Sequence, residues 1–563
     1  MATSVGARLV WGHAKLTVLA TAAAMSPKLR VASCDAGQSP TPPTRSINNA
    51  VLRKKVSKVG TMTSIGHFSM ISETAFNPSI VTFFIKLSGP PMTLPDFAKL
   101  WQTREMDQRH ERFHQAVSET HPGHFEAIPL EPEQDPVSRH LSDTIFPSSR
   151  QDLQARIQTT QTSRWNLSNE LWHIYIASSL EKRESLLLFR GHHALADGAS
   201  MGAALMDLSD EAAILQSQIR TLLDARKIKA RARTWWQKVF RSLGQLWWLF
   251  SGSIRAVCYQ GELLLWAWWN PSPWKQIEAA SNSSNVATQD EADVPLRNIS
   301  MTTAAPVDQV KWVAQMLSQD SGRKITVNDV FCSCVTAALA KQFQYHRQRM
   351  LILAEVAGDK STQPLPPIER FHVTIPVHLR GGIVLPGESV GNRLGAFTAR
   401  LPGEIDHAIT LTATERLRTV HDELAFIKST PAALVSHLLA KVLSTASRVL
   451  PSTWTSAAFA ASSANSSCVV TNTRGPPQPV HMAGRKVEAI QGFIPLPPGI
   501  PIGVVVSSYA SDLGLTVTAE AWAVPNADLF LQWVLEEYLE LVRAAKAKSE
   551  ILERQQPYAV AQE

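Results

Sequence analysis

Two adjacent histidines, His192 and His193, end an apolar run, and after three residues Asp197 and Gly198 follow. Imidazole has an ordinary pKa of about 6.5, so it can take a proton from a hydroxyl group and return it to a leaving group. The run 186–189 has the composition of a buried strand, and a strand end holds a ring in one orientation. The pattern therefore predicts that His193 is a base for a hydroxyl group, and a His-His pair that only forms part of the surface or core structure is the alternative.

Asp197 and Gly198 each have two interpretations. Asp197 either orients the imidazole or turns away and fixes the loop by pairing with an arginine. Gly198 permits either a tight backbone turn or the close approach of a ligand.

Two other kinds of site need features in addition to this motif. A metal site of two histidines and an aspartate would need a further ligand that is not found nearby, and a serine hydrolase would need a Gly-x-Ser-x-Gly elbow between a strand and a helix. We therefore expect no metal and no cofactor.

Apolar periodicity predicts the elements that must position this motif. Strands and helices alternate along the body of the chain, without a repeat of fixed period, which indicates a mixed α/β fold in two lobes. The predicted strands are 79–87, 171–177, 185–189, 371–377, 503–509 and 514–519, and the predicted helices are 94–113, 201–215, 326–342 and 526–548.

The same patterns divide the chain into five parts. At 563 residues it is too long for one compact core, and 44% apolar residues allow a substantial one. We expect a basic segment at 1–62 that is disordered or targeting, a first lobe at 63–221, a Trp-rich connector at 222–298, a second lobe at 299–548 and a tail at 549–563.

Charge and cysteine usage narrow the functional classes. The formal charge of +7 favours anionic partners such as lipid or a phosphate-bearing co-substrate. No zinc-finger spacing or RNA-binding signature is found, so nucleic acid is not expected as a partner. Five scattered cysteines do not form a disulfide framework, which indicates a reducing compartment. No apolar stretch of the length that spans a bilayer stands out.

The N-terminal segment allows two interpretations. Through Ser72 it contains nine Lys or Arg residues and one acid, Asp35. Its apolar run 16–25 fits an organelle-targeting peptide, and its composition fits a disordered basic tail equally well.

The connector 222–298 has a composition of its own. Half of the 16 tryptophans lie between Trp235 and Trp274, interleaved with Lys and Arg. Tryptophan with basic residues is typical of a membrane interface, where the indole lies at headgroup depth. A Trp-rich helix pair that packs between lobes is the alternative. Arg255 and Glu262 argue against a transmembrane helix.

Several segments in the order of the chain resemble the bacterial-type wax ester synthase/diacylglycerol acyltransferase family. Leu171-Trp172 and the His192-to-Gly198 motif are similar to two of its motifs. Five later segments complete the resemblance, which spans about 66–541: Thr326-Val327-Asn328-Asp329-Val330, Ile375-Pro376-Val377-His378-Leu379-Arg380, Gly391-Asn392-Arg393, Val470-Thr471-Asn472-Thr473-Arg474-Gly475-Pro476 and Pro495-Leu496-Pro497-Pro498-Gly499.

The resemblance implies a two-lobe, chloramphenicol-acetyltransferase-like α/β fold with an active-site tunnel between the lobes. His193 would activate the hydroxyl for direct attack on acyl-CoA, the co-substrate, without an acyl-enzyme. Asn328 would donate to the oxyanion, although Thr326 and Asp329 have the spacing of a capping box, which would make this segment only a helix start.

The resemblance also suggests supporting residues around the histidine loop. Asp197 paired with Arg380 would be a structural link that shapes the loop, with a solvated Arg380 as the alternative. Asn392 and Arg393 would belong to the tunnel architecture, and simple hydrogen bonding within a loop is the alternative for both.

Departures from the family affect substrate choice more than the chemistry. Glu170 stands where the family has proline before Leu-Trp, and both the connector and the insertion 347–367 look longer than usual. We expect an enzyme that makes wax esters, triacylglycerol or both, from acyl-CoA and a long-chain alcohol or diacylglycerol. An amide-forming condensation enzyme and a non-catalytic lipid-surface binding protein are the alternatives.

The expected location follows from these substrates. We expect association with a membrane or lipid-droplet surface on its cytoplasmic face, at the endoplasmic reticulum or a lipid droplet if the source is eukaryotic. Organelle targeting by the N-terminal segment is the alternative.

Overall fold

The computed structural model describes residues 60–559, with gaps at 74–76, 122, 129–134, 136, 232–234, 270–271, 273, 276, 279–296, 319–321, 323, 359–367, 380–390, 404–410, 448–449, 452, 455–456 and 458–464. The predicted N-terminal segment up to residue 59, the site residue Arg380 and the end of the tail lie outside the described residues.

The strands alternate with the helices along the chain, as the periodicity indicates. The strands are β1 (Gly60–Thr61), β2 (Ile80–Ser88), β3 (Gln115–Val117), β4 (His124–Ala127), β5 (Leu141–Asp143), β6 (Trp172–Ser179), β7 (Glu184–His192), β8 (Arg297–Pro306), β9 (Arg370–His378), β10 (Leu394–Pro402), β11 (Cys468–Arg474), β12 (His481–Met482), β13 (Arg485–Phe493), β14 (Ile502–Tyr509) and β15 (Asp512–Glu520).

The helices range from one turn to more than nine turns. They are α1 (Ser64–Ile71), α2 (Leu94–Thr103), α3 (Met106–Arg109), α4 (Arg150–Thr162), α5 (Gly198–Met206), α6 (Ala212–Arg231), α7 (Trp235–Trp269), α8 (Val307–Ser318), α9 (Val327–Ala357), α10 (Ala413–Lys428), α11 (Ala432–Ala446) and α12 (Ala527–Ala559). Two short 3₁₀ helices cover Glu111–His114 and Ser138–His140.

The strand that carries the histidines lies near the centre of the first sheet. The strand order is β12-β13-β2-β7-β6-β5, and β7 pairs antiparallel with both β2 and β6. Residues from Ser185 to His192 are all buried, because both faces of a central strand are covered. His192 lies opposite Ile80, so the histidine pair stands at the edge of the sheet where β2 begins.

The second sheet has the order β10-β9-β11-β14-β15-β8 and belongs to the second lobe. The predicted hairpin of β14 and β15 is confirmed, with its turn between Tyr509 and Asp512. Two sheet-rich lobes of α and β elements confirm the predicted fold class. The tunnel between the lobes stays a prediction.

Two strands from the second half of the chain join the first sheet. β12 and β13 lie in the range expected to form the second lobe, but β13 pairs antiparallel with β2 over Lys486–Phe493. Between the sheets, Phe84 and Leu188 of the first lobe pack in one apolar cluster with Ile299 of β8 and Phe493 of β13. The two lobes are therefore connected by strand pairing as well as by packing.

Two predicted helices are wrong in their continuity. The predicted helix 94–113 is interrupted after Thr103, because Glu105 has a φ of 51° in the left-handed region, which a continuous helix excludes. The predicted helix 201–215 is interrupted after Met206, where Asp207 accepts hydrogen bonds from His110 and Gln216 at 2.9 Å each. These are contacts between elements, and apolar spacing does not report them.

The Trp-rich connector contains one long helix, α7, that exposes apolar side chains. From Leu243 to Ile254 it exposes two tryptophans and five other large apolar residues, and Trp247 is 68% exposed. Among the described residues, no helix is both long enough and apolar enough to span a bilayer.

Candidate active site

Backbone hydrogen bonds fix both histidines at the end of β7. The N–H of His192 donates to the carbonyl of Leu171 at 2.8 Å, and the N–H of His193 donates to the carbonyl of Ser79 at 2.7 Å. Neighbouring segments on both sides therefore hold the two residues, and a rigid base of this kind is what the sequence pattern predicts.

The imidazole of His192 is buried and is held at both ring nitrogens. The backbone N–H of Ala194 donates to Nδ1 at 3.0 Å, and Oε1 of Glu73 lies 2.5 Å from Nε2. An N–H group can only donate, so Nδ1 must be the acceptor and Nε2 must carry the proton. No local pattern predicts this partner, because Glu73 lies 119 residues earlier in the chain.

The imidazole of His193 is held differently. The residue is partly exposed, but its Nδ1 is buried and has no hydrogen-bond partner among the described residues. Burial lowers the pKa of His193 from its ordinary value of 6.5, against the negative charge of Asp197, which acts to raise it. A lowered pKa keeps the ring neutral at neutral pH, which is the form that a base needs.

Asp197 is fully buried and joins the histidine loop to the second lobe. Its Oδ1 accepts from the N–H of Ser200 at 2.8 Å, so the residue is the N-cap of α5. Its Oδ2 accepts from the N–H of Arg393 at 2.7 Å, and its own N–H donates to the carbonyl of Gly391 at 3.2 Å. Each carboxylate oxygen therefore accepts a backbone N–H group, and the predicted partner Arg380 lies outside the described residues.

A second link between the lobes runs through Asn392. Its Nδ2 donates to the carbonyl of His193 at 2.8 Å and to Oγ1 of Thr63 at 3.2 Å. Thr63 is in turn the N-cap of α1 and accepts from the N–H of Gly66. The predicted position of Asn392 is either in the tunnel or in loop hydrogen bonds, and in the structure its side chain contacts the backbone of the proposed base.

Gly66 is required where α1 meets the histidine loop. A Cβ atom at this position would lie 2.7 Å from the carbonyl oxygen of Ala194, which is closer than real Cβ contacts. Gly198 differs, because a Cβ atom there would make only an ordinary contact with Val81 at 3.8 Å, and its φ is not among the positive values. The protein's own atoms therefore require glycine at 66 but not at 198.

The segment around Asn328 begins a helix, as its spacing indicates. Thr326 and Asp329 form a capping box at the start of α9. Asn328 is half-buried in the first turn of α9, and none of the hydrogen bonds of the described residues joins it to His193. Its role as an oxyanion donor stays a prediction from the resemblance.

Asp329 has structural partners in addition to the cap. Its Oδ1 accepts from Nζ of Lys428 at 2.8 Å, and its Oδ2 lies 3.0 Å from Nδ1 of His421. Although burial acts to raise it, the pKa of Asp329 is lowered because the charge and hydrogen bonds of Lys428 favour the carboxylate. The predicted supporting role of Asp329 thus has a physical basis in the attachment of α9 to α10.

The Leu171-Trp172 segment supports the histidine strand by packing. Trp172 is fully buried, stacks on Trp101 at a centroid distance of 4.7 Å, and donates its indole N–H to the carbonyl of Phe113 at 2.8 Å. Glu170, which replaces the family's proline, accepts from the indole of Trp165 at 2.8 Å and lies 3.4 Å from His140. The carboxylate that Glu170 introduces at this position is therefore satisfied by local polar partners.

Four functional neighbours were missed by sequence reasoning: Thr63, Gly66, Glu73 and Ser79. All lie in or beside α1 or before β2, and each contacts the histidine loop or Asn392. Only the Thr-x-x-Gly start of α1 could have indicated a helix cap, since the other contacts connect distant parts of the sequence.

The described part of the chain contains no group of three or more His, Cys, Asp or Glu side chains arranged for a metal ion.

Comparisons with known proteins agree with this geometry. Residues 68–331 match the wax ester synthase/diacylglycerol acyltransferase catalytic domain, and residues 390–542 match the C-terminal domain of the same family. A probable diacylglycerol O-acyltransferase of Mycobacterium tuberculosis (strain CDC 1551 / Oshkosh) is 20% identical over 404 residues, which are 71% of this chain and 78% of that protein.

Two solved structures share the fold at low identity. The trichothecene 15-O-acetyltransferase TRI3 from Fusarium sporotrichioides has a TM-score of 0.54 and 11% identity, with 86% of this chain and 95% of that chain covered. The first condensation domain of the calcium-dependent antibiotic synthetase, with a substrate analogue, has a TM-score of 0.51 and 12% identity, with 86% and 97% covered. Ester-forming and condensation enzymes thus share this architecture, and the two family matches distinguish them: the chain belongs to the wax ester synthase/diacylglycerol acyltransferase family and is an acyl-CoA-dependent acyltransferase.

Proposed function

We propose that the enzyme transfers a fatty acyl group from acyl-CoA to the hydroxyl of diacylglycerol or a long-chain alcohol, and that His193 is the general base for this reaction. The hydroxyl proton passes to the ring of His193 while the oxygen attacks the thioester carbon. The C–S bond then breaks, and the imidazolium returns the proton to the departing thiolate. The products are a triacylglycerol or wax ester and free CoA.

The observation that supports this assignment is the difference between the two rings. In His192 the basic lone pair on Nδ1 is occupied by the N–H of Ala194, whereas Nδ1 of His193 is buried and accepts no hydrogen bond from the described residues. Because His193 is partly exposed, Nε2 is the ring nitrogen left to meet a hydroxyl group. The lowered pKa of His193 supports the neutral, proton-accepting form.

The test is a product assay with three acceptors. Purified protein receives radiolabelled acyl-CoA with hexadecanol, diacylglycerol or a long-chain amine, and the products are separated by chromatography. We expect wax ester, triacylglycerol or both, and no amide. Because a general base typically contributes about 10²- to 10⁴-fold, His193→Ala is expected to lose at least that much of the turnover.

A matched histidine provides the control. His121 lies on an exposed loop with its side chain 64% exposed, so His121→Ala is expected to keep wild-type turnover. Unchanged activity in His193→Ala, or amide as the main product, would contradict the proposal.

We also propose that the enzyme works at an anionic membrane or lipid-droplet surface that faces the cytoplasm. The contact would be the α7–α11 face, formed by exposed apolar side chains on the two helices. These are Leu243, Leu246, Trp247, Leu249, Phe250, Ile254 and Val257 on α7 and Leu434, Leu438, Leu439 and Val442 on α11. Contiguous apolar patches of this kind are uncommon on soluble surfaces and are typical of interaction sites.

Contacts between the two helices make this a continuous surface. The indole N–H of Trp248 donates to the carbonyl of Ser429 at 2.6 Å, just before α11. A Cβ atom on Gly252 of α7 would lie 2.6 Å from Cδ of Pro431, so the backbones meet closely there. The second helix was not part of the predicted Trp-rich connector.

The charge of this region fits an anionic surface. Between Asp224 and Glu262 the sequence has eight Lys or Arg residues and no acid, and the 64 residues between Glu423 and Glu488 also contain no acid. Basic residues next to exposed apolar side chains bind anionic headgroups while the apolar groups enter the interface. A lipid surface would also present the diacylglycerol or alcohol close to the site. The α7–α11 face is connected to the site because α11 contacts α1, where Oγ of Ser444 lies 3.2 Å from Nδ1 of His67, and α1 contacts the histidine loop at Ala194.

Vesicle flotation tests this contact. The double variant Trp247→Ser/Leu438→Ser removes one exposed apolar side chain from each helix and leaves the bond of Trp248 intact. We expect it to lose most of its flotation with anionic vesicles, and we expect weak binding of the wild type to neutral vesicles. The control variant Leu351→Ser/Ile352→Ser changes exposed apolar residues at the end of α9. Equal flotation of all three proteins would exclude the proposed face.

A further inference from the structure

Glu73 contacts the first histidine of the motif from outside the first sheet. It follows the end of α1, its side chain is 20% exposed, and His192 is almost fully buried at 1%. Oε1 of Glu73 lies 2.5 Å from Nε2 of His192, so the two atoms are within hydrogen-bond distance. Neither the histidine motif nor the family resemblance predicts a contact with this carboxylate.

The geometry fixes the tautomer of His192. Because the N–H of Ala194 occupies Nδ1 at 3.0 Å, the proton of the neutral ring is on Nε2 and points at Glu73. Moving the proton to Nδ1 would place two hydrogens between the ring and Ala194. The N–H of Ala194 and the carboxylate of Glu73 therefore favour the same tautomer, in which Nδ1 accepts and Nε2 donates.

We propose that Glu73 is a positioning residue for acyl transfer, and this inference rests on the proposed role of His193 as base. Glu73 accepts the proton of Nε2, so Nδ1 of His192 remains an acceptor and holds the N–H of Ala194. His193 lies in the chain between His192 and Ala194, which this hydrogen bond joins, so the bond from Glu73 helps to fix the position of the backbone that carries the base. His192 is then a structural part of the loop, and its lone pair is not available to a substrate.

The surrounding contacts make the position of Glu73 well defined. Gly66 in the first turn of α1 packs against the carbonyl of Ala194, and Glu73 follows the last turn and reaches His192. One short helix therefore contacts the loop near both of its ends. A loss of the Glu73 bond leaves the first contact in place, so we expect a displaced loop and not an unfolded protein.

Two substitutions separate hydrogen bonding from bulk structure. Glu73→Ala removes the acceptor, and we expect kcat to fall about 10- to 100-fold with little change in KM, since small displacements of a catalytic group have effects of this size. Glu73→Gln keeps a carbonyl oxygen that can accept from Nε2, so we expect kcat within about threefold of the wild type. Circular dichroism and the unfolding midpoint establish that both variants are folded.

Nitrogen NMR of protein with ¹⁵N-labelled histidine provides a readout independent of turnover. We expect the Nε2–H tautomer of His192 in the wild type and in Glu73→Gln. In Glu73→Ala we expect a mixture of tautomers, because the displaced loop no longer holds the N–H of Ala194 against Nδ1. Glu181→Ala, on an exposed turn, is the matched control and is expected to change neither signal nor kcat.

Three results would overturn the inference. They are wild-type kcat in Glu73→Ala, equal losses in the Gln and Ala variants, and an unchanged tautomer in Glu73→Ala. If the wild type and all variants lacked acyltransferase activity, the proposed function would fail, whereas the NMR result would still decide whether Glu73 fixes the tautomer.

Discussion

The backbone N–H of Arg393 donates to Oδ2 of Asp197 at 2.7 Å, across 196 residues of sequence. This bond places the aspartate of the histidine motif between α5, which it caps, and the segment that leads into β10 of the second sheet. The residue therefore has a structural role in joining the lobes, while its charge also acts on the pKa of His193.

Asp197 should be essential for stability as well as for activity. Asp197→Ala removes the cap of α5 and leaves the N–H groups of Ser200 and Arg393 without their acceptor. We expect a loss of about 2–4 kcal/mol, since a cap is worth about 1 kcal/mol and a buried unpaired donor about 1–3 kcal/mol. The urea midpoint measures this. Asp197→Asn should lose less, because asparagine also caps helices, and equal midpoints for wild type and Asp197→Ala would contradict the assignment.

The pH profile should report the lowered pKa of His193. The base acts when neutral, so kcat/KM should rise with pH through the pKa of the ring and stay level above it. Because burial lowers that pKa from 6.5, the rise should be centred below 6.5. Asp197 acts to raise the pKa and His192 to lower it, so Asp197→Asn should move the rise to still lower pH. A rise centred above 6.5 in the wild type would contradict this prediction.

Gly66 and Gly202 form a matched pair for testing the contact between α1 and the loop. A Cβ atom at Gly66 would lie 2.7 Å from Ala194, whereas one at Gly202 in α5 would lie 3.5 Å from Phe83, an ordinary contact. Gly66→Ala is expected to destabilise by about 1–3 kcal/mol and to lower kcat at least ~10-fold, because the loop must shift. Gly202→Ala should keep kcat. Thermal unfolding and initial rates compare the two, and equal behaviour would argue against the close contact.

The cysteines should differ sharply in reactivity. Cys258 on α7 is exposed, whereas Cys332, Cys334 and Cys468 are buried. Burial raises the pKa of Cys332 to about 12 and those of Cys334 and Cys468 well above the usual range, so these three thiols stay protonated. In a Cys34→Ser background, we expect one thiol to react with a maleimide at pH 8 at least ~100-fold faster than the rest.

Cys258 also reports on the proposed lipid surface. It lies on the same helix as the exposed apolar residues of the α7–α11 face. Anionic vesicles should therefore slow its labelling, and Cys258→Ser should remove the fast reaction. Labelling that is as fast with vesicles as without them would show that this part of α7 stays in water.

The sequence by itself determined the elements with strong local signals. The strand before the histidines depends on a continuous apolar run, and the β14–β15 hairpin depends on turn residues between two strands. The capping box depends on the three-residue spacing of Thr326 and Asp329, and all three are local signals. The ordered motifs also determined the family, because several short segments matched in sequence order. The predicted helices failed where Glu105 and Asp207 interrupt them.

Only the tertiary structure decided how the histidine loop is held. Glu73, Asn392 and Arg393 reach it across 119, 199 and 196 residues, and β13 crosses into the first sheet from the second half of the chain. Such contacts arise because each buried donor and acceptor needs a partner, whichever part of the chain supplies it. The sequence therefore predicts His193 as the base, and the fold decided which groups hold the loop that carries it and which ring nitrogen of His192 is already occupied.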